Sequence, residues 1–96
     1  MDMESLMASA QDLQAKISAA QDSLAQMQVR GIGGNGNVVV TMTGKYDVLS
    51  VVVQPSALEA GAESISKFVM DAYVDAKSKA DDLIEKVMNE VTGSLE

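Results

Sequence analysis

A glycine-rich segment, residues 29–37 (VRGIGGNGN), stands between a long heptad-patterned stretch and two β-branched runs, and this order constrains the chain more than any other feature. Gly31-x-Gly33-x-x-Gly36 has the spelling of a dinucleotide fingerprint. That fingerprint works only where a strand enters the glycines and a helix leaves them, so that the helix N-terminus faces the pyrophosphate. Here the pattern predicts a helix entering and a strand leaving. With no helix start behind the glycines there is no dipole and no fan of free N–H groups for phosphate, and the segment reads as a flexible, positive-φ connection. Gly44-Lys45 also falls short of a phosphate loop, because Val39 takes the place of the upstream glycine and Tyr46 that of the following Ser or Thr. It reads as a hairpin turn.

Upstream of the glycines, Met3, Leu6, Ala10, Leu13, Ile17, Ala20, Leu24 and Met27 are separated by alternating steps of three and four. This is the 3.5-residue repeat of a coiled-coil seam. The intervening Gln, Ser, Asp and Ala residues include no Gly or Pro, and Asp2 and Glu4 suit the positive end of a helix dipole. A helix is predicted over residues 3–28.

Downstream, Val29-Arg30 begins a short strand that the glycines stop, and residues 37–43 and 47–54 form an antiparallel hairpin around Thr43-Gly44-Lys45-Tyr46. Val38, Val40 and Met42 share one face of the first hairpin strand, and Leu49, Val51 and Val53 share one face of the second. Val39, Val48 and Val52 make the opposite faces apolar as well. A hairpin apolar on both sides needs a second cover, for which another copy of the chain is the expected source. Pro55 closes the sheet, and Ser56-x-x-Glu59 has the spacing of a capping box for a short turn ended by Gly61. A second helix follows over about residues 63–92, with a stripe of Ile65, Val69, Ala72, Ala76, Ala80, Leu83, Val87 and Val91 and with Gly93 as its C-cap.

The fold class read from this order is α+β. One domain spans residues 1–96, an αβββα protomer with two long helices flanking a small antiparallel sheet. Each helix would measure roughly 40 Å, against a radius of gyration of about 13 Å for a compact domain of this length. Helices that long project beyond their own sheet as arms. The expectation is therefore a sheet-mediated homodimer, with Leu13, Ile17, Val51 and Val53 in its interface or core.

Composition removes most of the chemistry. The chain has no Cys and no His, so thiolate nucleophiles, disulfides, thiolate zinc sites and the commonest general base are all missing. Tyr73-x-x-x-Lys77 has the dyad spacing of short-chain dehydrogenases, but their doubly wound domain is not present. Asp81, Asp82 and Glu85 form a solvated helix face without a chelating loop. No enzyme, cofactor, metal or small-molecule substrate is expected. No apolar run approaches the roughly 20 residues of a membrane span, so no membrane partner is expected and the chain is read as cytoplasmic. A net charge of −7 argues, by itself, against nucleic acid.

Leu6-Met7, Ala10-Gln11, Leu13-Gln14 and Gln21, then Val29, Gly31, Gly34 and Gly36, then Val40-Thr41-Met42-x-Gly44-Lys45-Tyr46, and finally Pro55-Ser56 with Asp75-Ala76-x-x-Lys79-Ala80, resemble the YbaB/EbfC family of bacterial nucleoid-associated proteins. The resemblance implies an αβββα protomer, a homodimer joined through its sheet, helical arms around DNA, and a place in the nucleoid. DNA contact is then expected at the backbone, with little or modest sequence preference. An alternative in a different class is a protein-interaction or scaffold dimer for the recombination or replication machinery, with the arms as a partner groove.

The candidate DNA contacts are Arg30, Lys45, Lys77 and Lys79. Lys16, Lys67, Lys79 and Lys86 each follow an acid by one helical turn, at Asp12, Glu63, Asp75 and Asp82, and are partly neutralised by it. Arg30 and Lys45 lack such a partner, and Lys77 has only Asp81 in the weaker order. Lys79 is retained because the resemblance places a lysine there.

Overall fold

The computed structural model describes residues 2–93. The order is α1 (Met3–Gln26), β1 (Gln28–Gly33), a 3₁₀ turn (Gly34–Gly36), β2 (Val38–Thr43), β3 (Val48–Val53), a second 3₁₀ segment (Pro55–Ala60) and α2 (Ala62–Gly93). This is the αβββα order read from the sequence. The three strands form one antiparallel sheet in the order β1-β2-β3.

Asp2 starts α1, its carboxylate accepting the Ser5 N–H at 2.8 Å. That bond holds the Asp2 carboxyl below the ordinary carboxylate range, as a charged N-cap should. The helix stops at Gln26, two residues short of the expected end, because Met27 turns to extended backbone and leads into β1.

The glycines correct the sequence reading most clearly. Gly31 and Gly33 do not stop β1; they are inside it, paired with Val40 and Val38, and within this glycine-rich segment positive φ is found at Gly34, Asn35 and Gly36 of the following turn. Gly31 is required by α2, which crosses β1 so closely that a Cβ would run into the Ala72 carbonyl oxygen and the Ala76 backbone nitrogen. The same crossing explains why α2 presents a ridge of alanines here. Ala72, Ala76 and Ala80 are fully buried against Val38, Val40 and Met42, with Val29, Phe68 and Val69 at the margin.

A second, smaller cluster of Ala20, Leu24 and Val87, edged by Met27, Leu83, Ile84, Met88 and Val91, joins α1 to the outer half of α2. These two helices form an arm. It gives a molecule of 68 × 18 × 15 Å with a radius of gyration of 18.9 Å, well above the compact value of about 13 Å. The arm is tied to the sheet at Gly44, whose N–H donates to the carbonyls of Leu24 (3.0 Å) and Met27 (3.2 Å).

Two local readings are corrected. Ser56 and Glu59 make no capping box: Ser56 instead donates to the Asn37 side chain at 3.0 Å, and the segment is a 3₁₀ turn without a side-chain cap. In β3, a bulge shifts the register between Thr41 and Met42, so that Thr41 faces Ser50 while Met42 faces Val48 and Leu49 is the extra residue.

Candidate nucleic-acid interface

The two edges of the sheet are built differently. On β1 the Arg30 C=O and Ile32 N–H point outward, and both are taken by α2. Asp75 accepts the Ile32 N–H at 2.9 Å, Lys79 donates to the Arg30 carbonyl at 2.8 Å, and Lys79 and Asp75 pair with each other at 3.1 Å. The Ile32 N–H, then Lys79, lower the Asp75 carboxyl below its ordinary range. The acid and base that the sequence offers as one helical pair thus form a clamp over a strand edge.

β3 has no such clamp. All six of its residues are exposed, and the run from Val48 to Gln54 carries no charge. Val51 and Val53 pair with the buried Val40 and Val38 and so lie on the α2 side of the sheet, yet they remain 47% and 37% exposed because α2 covers β1 and β2 only. They are not in the protomer core. Met70, Tyr73 and Val74 on the neighbouring flank of α2 are exposed too, so the strand and the helix make an open apolar corner. Leu13 and Ile17 are half-buried on the arm.

The turn between β2 and β3 carries Lys45. Tyr46 N–H donates to the Thr43 carbonyl (3.0 Å), and Thr43 Oγ1 accepts from Lys45 N–H (3.1 Å) and Asp47 N–H (3.2 Å). Tyr46 adopts φ +68°, unusual for a bulky residue. Its phenol donates to the Asp81 carboxylate of α2, which fastens the turn to the helix and raises the phenol above its ordinary range.

The four candidate cations sit where sheet and arm meet, but not on one surface. Arg30 pairs with Thr41, and because Val40 and Met42 face α2, Arg30 projects from the opposite face. Lys77 lies one turn before Asp81, on the flank of α2 that holds the Lys45 turn. Arg30, Lys45 and Lys77 are exposed. Lys79 is committed to the clamp. Of the other helical pairs, Lys16–Asp12 closes at 3.2 Å, whereas among the described residues Glu63–Lys67 and Asp82–Lys86 form no ion pair within 4.0 Å. The clamp and the Tyr46 latch escaped sequence reasoning, since each joins residues more than 30 positions apart.

The fold is shared with a crystal structure of an uncharacterized protein from Helicobacter pylori, at a TM-score of 0.81 and 20% identity over 100% of this chain and 99% of that one. That likeness puts this chain in the class of two-layer α+β proteins, here with a helical arm. At the level of sequence, residues 1–95 match the YbaB/EbfC DNA-binding family. A nucleoid-associated protein of Gloeothece citriformis is 42% identical over 86 residues, 90% of this chain and 75% of the relative. Another, of Bradyrhizobium diazoefficiens, is 38% identical over 95 residues, 98% of this chain and 90% of the relative. The chain belongs to the YbaB/EbfC DNA-binding family, and the relatives it matches are named nucleoid-associated proteins.

Proposed function

We propose that the protein acts as a homodimer on the bacterial nucleoid, in the cytoplasm, binding the DNA backbone with little sequence preference. The observation that carries the dimer is the open β3 corner. A six-residue strand, uncharged and apolar on both faces, is the kind of edge that monomeric proteins blunt. Antiparallel pairing of β3 with its symmetry mate gives a continuous six-stranded sheet. It also brings the Met70–Tyr73–Val74 flanks of the two α2 helices together over Val51 and Val53. Such an isologous contact closes on itself.

Family membership supports DNA as the partner, and Arg30, Lys45 and Lys77 are the cations assigned to the phosphates: all three are exposed and, unlike Lys67 and Lys86, none follows an acid by one helical turn. Lys79 acts through Arg30, whose backbone it holds. Pairing doubles the net charge of −7, so binding is weak, and added salt weakens the local contacts while screening long-range repulsion. The salt slope is therefore shallow, on the order of two to four phosphates.

A mobility shift with duplex DNA at several salt concentrations tests this reading. Single changes of Arg30, Lys45 and Lys77 to Glu should weaken binding more than Lys67→Glu or Lys86→Glu, at unchanged dimer mass. Equal losses at all five positions would show that total charge governs binding, and absence of a shift at low salt would contradict the DNA reading.

A further inference from the structure

The apolar seam of α1 is longer than its contact with α2. Leu6 precedes Leu24 by 18 residues, five whole turns at 3.6 residues per turn, so the two side chains project in the same direction. Leu24 and Ala20 are buried against α2. At the other end of the same stripe Met3, Leu6 and Met7 are 75%, 52% and 57% exposed. About 15 Å of seam, from Met3 to Leu13, thus continues an interface that α2 occupies only further along. It leads into an open groove of 370 Å³ between the helices, floored by Ala20, Met27 and Val87 and edged by Lys16 and Glu90.

We propose that this seam docks an amphipathic helix of a partner protein, with apolar residues at helical spacing and basic residues on its flanks. The geometry asks for a helix because the seam already packs one further along. Charge selects the kind of helix. Residues 2–16 carry Asp2, Glu4 and Asp12 against one cation, Lys16, which is paired with Asp12, and across the groove α2 adds Glu90 and the negative end of its dipole. A second copy of the arm would bring like charge against like charge, whereas a basic helix complements it. The paired methionines at the tip are adaptable packing partners for such a helix.

Two synthetic 21-residue helices with the same leucine seam, one flanked by Lys and one by Glu, can be titrated by fluorescence anisotropy against the full chain. The Lys-flanked helix should bind at least tenfold more tightly than the Glu-flanked one. Leu6→Asp should weaken it tenfold or more, and Leu6→Ser, which leaves the charge alone, should do so by a similar factor. Leu6 is exposed, so circular dichroism and dimer mass should not change in either variant. Pure charge attraction would make Leu6→Asp bind the basic helix more tightly, and that result would overturn the proposal. It would also be overturned if Leu6→Ser abolished a concentration-dependent assembly beyond the dimer, which would make a second copy the occupant. Displacement of the peptide by duplex DNA, with DNA binding itself lost in Leu6→Ser, would assign the seam to DNA and overturn it equally.

Discussion

The two edges of this small sheet are made from the same kind of strand and treated in opposite ways. β1 is covered by α2, and two of its outward backbone groups are satisfied by Asp75 and Lys79. β3 keeps six exposed residues and no charge from Val48 to Gln54. Which edge can pair with another chain is thus decided by which one α2 sits over. In the proposed dimer, blocking one edge and leaving the other lets the sheet close as a pair instead of extending as a filament. The feature that settles the placement is a glycine: a side chain at Gly31 would hold α2 away from β1.

The largest effect should come from the open edge. Val51→Asp sets a carboxylate in the middle of the apolar corner, and light scattering should fall from about twice the 10.1 kDa chain mass to that of a single chain. Folding of the protomer should survive, because Val51 is exposed within it. Persistence of the dimer would place the interface elsewhere.

Gly31→Ala attacks the closed edge. The added methyl meets backbone atoms, which cannot rotate away, so a loss of about 3 kcal/mol in urea unfolding is expected, at the upper end of overpacking costs. A loss below about 1 kcal/mol would mean that α2 has room to shift.

Removing the clamp with Asp75→Ala and Lys79→Ala together should cost less stability but change the assembly, producing species larger than the dimer as the β1 edge becomes available. The clamp also has a pH signature. The Asp75 carboxyl lies below its ordinary range in the folded chain, held there first by the Ile32 N–H and then by Lys79. Its contribution is therefore complete above about pH 4, the unfolded value, and is lost as pH falls through the depressed folded value. Asp75→Asn should flatten that part of the stability–pH curve, measured by chemical denaturation.

The smallest effect belongs to the turn latch. Tyr46→Phe removes the bond to Asp81 and should lower the urea midpoint only slightly, by less than loss of the clamp does. The raised phenol has the opposite sign of linkage: its contribution holds below about pH 10 and is lost as pH rises through the folded value.

Much of this protomer was legible in sequence. The helix over 3–28 appears as Met3–Gln26, the second as Ala62–Gly93, and the hairpin between them is present, because three-four spacing and β-branched alternation are local signals. β1 was half-read. Glycine punctuates loops when read locally, and only the closeness of α2, set by Ala72 and Ala76, shows why Gly31 and Gly33 belong inside a strand. Of the candidate cations, sequence spacing correctly paired Lys79 with Asp75, but their shared role depends on Arg30 and Ile32, more than 40 residues away. The apolar faces of β3 were visible as a need for cover, while the clamp that leaves β3 as the open edge was not.

Amide hydrogen exchange across the sheet tests the difference between the edges most directly. The account predicts that the outward amides of β3 are protected at concentrations where the dimer mass is seen and lose that protection on dilution. The Ile32 amide should stay protected throughout, since Asp75 of the same chain holds it. Free exchange of every outward β3 amide in a sample of dimer mass would contradict the account.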